Sequence, residues 1–114
     1  MEEKHLRPWG YYQVLSDAPD HKVKRIVVSP DQSLSLQRHQ KRAEHWYAVS
    51  GAGVATVDGE EIALCGGKAV DIPQTATHRL KCTGNENLVI IEVQTGTYFG
   101  EDDIERIEDK YGRP

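Results

Sequence analysis

Gln37, His39, Glu44 and His78 are the residues of this chain whose types and spacing could do chemistry. Gln37 and His39 are two apart, so on a strand they project from one face. Glu44 follows a short turn-like run, and His78 closes a segment that starts at Gly66-Gly67 and passes Pro73. Two imidazoles, a carboxylate and an amide oxygen make a donor set for a divalent cation with open coordination positions. Zinc suits it, and so do manganese, iron, cobalt and nickel. Without a cation, the same groups on one inward face would bury several polar atoms and a carboxylate that all need partners. Glu44 and His45 are neighbours, so alternation sends them to opposite faces. With Glu44 inward, Trp46 shares its side as a pocket wall or as core filler, and His45 points out. His5 and His21 lie in polar surroundings and read as surface.

The elements that must position these residues read as strands. Short apolar runs alternate with turn signals at the spacing of an all-β sandwich or barrel. Strands are expected at 11–15, 22–28, 33–39, 46–50, 54–57, 61–64, 68–72, 77–81 and 88–94. Asp58-Gly59 is a two-residue hairpin signal between the fifth and sixth of these. The period then changes. Ile104, Ile107 and Tyr111 stand at i, i+3 and i+7, with acids before them and Lys110 and Gly112 behind. That pattern predicts a short amphipathic C-terminal helix over 101–111.

The totals bound the rest. A length of 114 residues suits one domain, 1–114, with no linker or repeat. A net charge of −4 argues against a general nucleic-acid surface, and there is no apolar run of membrane-spanning length. The start, Met1-Glu2-Glu3-Lys4-His5, has no apolar signal core. The two cysteines, Cys65 and Cys82, therefore read as reduced thiols of a cytoplasmic protein.

These residues resemble the two cupin motifs. In the first, Asp31 stands for a glycine and Gln37 for the first histidine, while His39, Glu44 and Gly51 fall in place. In the second, Gly67, Pro73 and His78 match, Thr75 replaces a glycine, and Cys82 stands at an asparagine. The stretches Arg7-Pro8-Trp9-Gly10-Tyr11-Tyr12, Arg42-Ala43-Glu44-His45-Trp46, His78-Arg79-Leu80 and Ile91-Glu92-Val93-Gln94 are similar to the cupin domain of type II mannose-6-phosphate isomerases. So is the run that follows them to Ile104. In that family the domain often follows a mannose-1-phosphate guanylyltransferase part, for which these 114 residues hold no glycine-rich phosphate loop.

The resemblance implies an all-β cupin barrel, that is, a double-stranded β-helix or jelly-roll. It also implies a divalent metal on Gln37, His39, Glu44 and His78. The reaction implied is metal-dependent interconversion of mannose 6-phosphate and fructose 6-phosphate. It needs a polarised oxygen at C1/C2, a base and a cation for the phosphate. Arg42, on a loop at the pocket mouth, is the first choice for phosphate. Arg79 is a weaker one because it follows His78 and alternation turns it away. Lys24 and Arg25 are adjacent on one strand, so one of them faces inward. The base stays open between a metal-bound water and Lys24. Leu34 and Leu36, opposite Gln37, call for a cover, which a partner's 9–14 segment in a homodimer would supply. Two other readings remain: a non-catalytic cupin holding a sugar phosphate, and a dioxygenase-like cupin using His39, Glu44 and His78 as an iron triad.

Overall fold

The computed structural model describes residues 3–114, and its described residues are strand, turn and loop with no helix. No helix among them is long and apolar enough to cross a membrane. The eleven strands are β1 (His5–Arg7), β2 (Gly10–Asp17), β3 (His21–Val28), β4 (Leu36–Arg38), β5 (Arg42–Ser50), β6 (Ala52–Val57), β7 (Glu60–Cys65), β8 (Ala69–Ile72), β9 (His78–Cys82), β10 (Leu88–Gly96) and β11 (Glu105–Glu108). They form two antiparallel sheets, ordered β1-β2-β3-β10-β5-β8 and β11-β4-β9-β6-β7. Their inner faces close over one core, the jelly-roll arrangement expected from the alternating pattern.

Period-2 alternation decides what enters that core. On β5, Arg42, Glu44, Trp46 and Ala48 are buried while His45 and Tyr47 are exposed. On β10, Leu88, Ile90, Glu92 and Gln94 are buried. Ile90 pairs with Ala48 and Ile26, Glu92 with Trp46 and Lys24, and Gln94 with Glu44. The interior is thus apolar at one end, where Val28, Leu80, Cys82 and Leu88 meet, and polar at the other. Each fully buried Leu or Ile contributes roughly 1.5–3 kcal/mol. The apolar layer supplies the rigidity that holds the polar one.

One sequence expectation changes here. The segment 101–111 is a turn followed by β11, not a helix. Strand β4 is short and would otherwise present unpaired amides at a sheet edge. β11 pairs with it, Glu105 opposite Arg38 and Arg106 opposite Gln37. A lone helix of this length gains little in water, so the tertiary pairing prevails over the local period. Ile104 turns into the cavity, Tyr111 packs on the core, and Ile107 stays exposed. Trp9 is buried and β2 pairs with β3 of its own chain, while Leu34 packs against the core.

The two residues that stand where the motifs carry glycine both have left-handed backbones: Asp31 at φ 64° and Thr75 at φ 70°. Aspartate tolerates that region, but a β-branched threonine does not. Thr75 is exposed, and its amide donates to the His39 carbonyl at 2.9 Å, so its turn pins the site loop. Relief of roughly 1–2 kcal/mol of strain, less the extra chain entropy of glycine, predicts that Thr75→Gly raises stability by about 0.5–1 kcal/mol. A urea midpoint that fails to rise would contradict the strain.

Candidate metal centre

Gln37 and His78 are direct partners across β4 and β9, and His39 follows β4. Glu44 arrives from the opposite sheet on β5. The Nε2 of His39 lies 3.2 Å from Glu44 Oε2, and the Nε2 of His78 lies 3.8 Å from Glu44 Oε1. Donor atoms of the three buried residues all fall within 4.8 Å of one another. Gln37 lines a cavity together with His39, its amide oxygen accepting from Ser35 Oγ at 2.8 Å.

Backbone carbonyls orient both imidazoles. His39 Nδ1 donates to the Asp103 carbonyl at 2.6 Å, and His78 Nδ1 to the Ala76 carbonyl at 3.1 Å. A carbonyl only accepts, so each ring carries a proton on Nδ1 and turns its Nε2 toward Glu44. Burial, the largest influence on His39, holds its pKa low and keeps it neutral. His78 Nε2 is buried and has no hydrogen-bond partner. An orphaned imidazole nitrogen facing a buried carboxylate is the environment a cation completes, so the donor set fits a metal.

A guanidinium already shares this space. Arg42 opens β5 and is only 5% exposed, so it lies inside the barrel and not on a loop at its mouth. Its Nε donates to Glu44 Oε2 at 2.9 Å and its Nη2 to His39 Nε2 at 3.1 Å. Its Nη1 is buried without a hydrogen-bond partner, 3.8 Å from Glu101 Oε2.

A second buried carboxyl flanks the first. Trp46 Nε1 donates to Glu44 Oε1 at 2.9 Å and to Glu92 Oε2 at 3.2 Å, and Gln94 Nε2 donates to Glu92 Oε1 at 2.5 Å. Two carboxyls this close do not both ionise. Burial and the Glu44 charge push Glu92 up to about 8. Burial works against Glu44 too, but His78, Arg42 and His39 outweigh it and hold it at about 2.

Lys24 is the inward member of its pair. It donates to Glu101 Oε2 at 2.8 Å and lies 4.3 Å above the Tyr12 ring, while Arg25 turns outward to Tyr11 and Gln13. Arg79 faces away from the site and pairs with Glu108 at 3.0 Å on the outer face. The site opens into a cavity of about 110 Å³ whose lining includes Gln37, His39, Arg42, Lys24, Glu92 and Glu101.

Glu92, Gln94, Glu101 and Asp103 were not singled out from the sequence. The first two continue the inward alternation of Leu88 and Ile90, which was signal enough. Asp103 caps the His39 loop, its carboxylate accepting from the Gln40 and Lys41 amides at 3.1 and 2.9 Å. Gly96, with φ 149°, lets β10 pass that loop, since a Cβ there would stand 2.2 Å from the Lys41 carbonyl.

Comparisons with known proteins agree with this architecture. The family model described as "Mannose-6-phosphate isomerase C-terminal" matches residues 1–109. The chain is 49% identical over 110 residues to the xanthan biosynthesis protein XanB of Xanthomonas campestris, covering 96% of this chain and 24% of that protein. It is 43% identical over 113 residues to the mannose-1-phosphate guanylyltransferase ManC of Salmonella typhimurium, covering 99% of this chain and 24% of that one. It thus spans about a quarter of the length of these relatives. The capsular polysaccharide assembling protein CapF of Staphylococcus aureus superposes with a TM-score of 0.81 at 22% identity, covering 96% of this chain and 35% of CapF, a likeness of fold. With a cupin barrel, a His/Glu centre at its polar end and a family match over almost its full length, the chain belongs to the mannose-6-phosphate isomerase C-terminal family.

Proposed function

We propose that this domain is a metal-dependent sugar-phosphate isomerase that interconverts mannose 6-phosphate and fructose 6-phosphate, in the supply of polysaccharide precursors. The observation that carries the metal is the buried, partnerless Nε2 of His78 facing Glu44 beside the Nε2 of His39. His39, Glu44 and His78 would hold the ion, with the Gln37 oxygen turning from Ser35 to join them. When bound, the ion supplies polarisation of the sugar oxygens at C1 and C2. The family match supports the substrate class, and the role of XanB in xanthan biosynthesis supports the setting.

The chain's own groups supply the rest. Isomerisation of the aldose moves a proton from C2 to C1. Glu101 lies at the cavity with its carboxyl at 2.8 Å from Lys24. Burial would raise its pKa, but the Lys24 charge outweighs it and keeps the carboxylate ionised, as a base must be. We assign Glu101 as the proton carrier and Lys24 as the group that positions it. Arg42 Nη1, with no hydrogen-bond partner, offers a donor to charge developing on a sugar oxygen.

The test is a coupled assay for fructose 6-phosphate on purified chain, with metal content measured in parallel. Chelation is expected to abolish turnover and zinc to restore it, and His78→Ala to lose both metal and activity. Turnover that survives chelation and His78→Ala would overturn the metal reading. Bound metal with no turnover would leave a domain that only holds its sugar phosphate.

A further inference from the structure

Arg42 and Lys24, the two buried cations, are held at the metal ligands and at the proton carrier, so phosphate recognition calls on others. Arg42 is tied to Glu44 and Lys24 to Glu101. Three other guanidinium groups line the same cavity: Arg7, Arg106 and Arg113. Arg106 lies on β11 directly opposite Gln37, which is itself opposite His78 on β9. Direct cross-strand partners project to one side. Glu105, the neighbour of Arg106, confirms the alternation by pairing with Arg38 on the outer face.

Arg106 Nη1 donates to the Pro114 carbonyl, but its Nε is buried with no hydrogen-bond partner. Burial first, then the charges of Arg113 and Arg7, hold its pKa below the usual guanidinium range, so these cations crowd one another. Arg113 is fixed by Asp109, to which its Nε and Nη2 donate at 3.0 and 2.9 Å. Arg7 stacks over Tyr12 and donates to its hydroxyl. Converging arginines with a vacant donor are complementary to a dianion of tetrahedral oxygens, which accepts several charge-assisted hydrogen bonds at once.

We propose that Arg106, with Arg7 and Arg113, forms the subsite for the substrate's phosphate, one strand from Gln37 and two strands from His78. Two strand spacings amount to about 10 Å, the scale of a hexose phosphate stretched between a sugar-oxygen site and a phosphate site. The inference rests on the sugar-phosphate reading above and adds which residues would take the phosphate.

The experiment measures binding of inorganic phosphate to the 114-residue chain by calorimetry, competed with mannose 6-phosphate. Wild type is expected to bind phosphate. Arg106→Ala should weaken it about 10- to 100-fold, the loss of one charge-assisted hydrogen-bonded contact. Arg7→Ala, at an exposed position, should weaken it several-fold. Arg106→Lys should fall between wild type and Arg106→Ala, which keeps the test open if the alanine variant does not fold. No phosphate binding by wild type, or binding unaffected by the Arg106 and Arg7 variants, overturns the subsite. Turnover with an unchanged KM for mannose 6-phosphate in the Arg106 variants overturns it too, while leaving the isomerase reading intact. Phosphate binding that depends on Arg106 in a chain without turnover upholds the subsite and removes the isomerase.

Discussion

Replacing Arg42 by alanine is expected to destabilise the metal-free protein by about 3–5 kcal/mol, the cost of leaving a buried charge without its partner. A divalent cation should restore most of that loss. The Arg42 guanidinium reaches Glu44 Oε2 and His39 Nε2, two of the atoms a metal would take. It is 5% exposed, and Glu44 is as deeply buried. Without the guanidinium, Glu44 keeps its charge in a low dielectric or gains a proton at an energetic cost, and either way the fold weakens. With a cation bound, the carboxylate is neutralised by the ion, and Arg42 is free to turn its donors toward substrate.

The metal affinity of the variant should therefore rise, by about tenfold or more, since nothing must be displaced from His39 and Glu44. Stability measured in denaturant with and without zinc reads both effects, because ligand binding to the folded state adds RT ln(1 + [L]/Kd). The double variant Arg42→Ala with Glu44→Gln should lose less than the sum of the single losses. If Arg42→Ala binds zinc no more tightly and gains no extra stability from it, guanidinium and metal do not share a position.

How much of this was legible in the sequence depends on which residues one asks about. The β5 face was readable, because Glu44, His45 and Trp46 must alternate and the structure buries the first and third. The Lys24/Arg25 choice was half readable: alternation required one inward cation, and only the pairing of β3 with β10, which sets Lys24 opposite Glu92, decided which. The alternation of Leu88 and Ile90 placed Glu92 inward, but its type spoke against that reading. A carboxyl in a run of Leu88 and Ile90 looks like an outward residue until its proton is accounted for. The tail was hidden by its period. Ile104, Ile107 and Tyr111 fit a helix, and the local pattern held no sign that β4 would need an edge partner. That error also concealed Arg106, which becomes part of the cavity only once β11 is a strand. Thr75 and Asp31 show the reverse: the motif positions that lack glycine still demand its backbone.

The stability of the metal-free protein should fall by about 2 kcal/mol between pH 6.5 and 8, and Glu92→Gln should abolish that fall. Glu92 has its folded pKa raised from 4.5 to about 8, so the native state binds a proton that the unfolded chain has already released. Its contribution is full below pH 4.5 and is lost as pH rises through 8, at about 1.4 kcal/mol per pH unit. Glu44 runs the other way. Its pKa is depressed from 4.5 to about 2, so its stabilisation is present above 4.5 and is lost as pH falls through 2. His39, kept neutral by burial, destabilises below its unfolded value of 6.5, where the unfolded chain takes up a proton that the folded one resists. Below 6.5 His39 therefore opposes the Glu92 slope, which emerges on its own above 6.5. Glutamine has the shape of the protonated acid and can still donate to Glu44, so Glu92→Gln keeps the acid limb of the profile and flattens the alkaline one. Urea midpoints of wild type and variant that stay parallel from pH 6.5 to 8 would show that Glu92 holds no extra proton in the fold. The two carboxyls would then have to be separated by something other than the proton shared beneath Trp46.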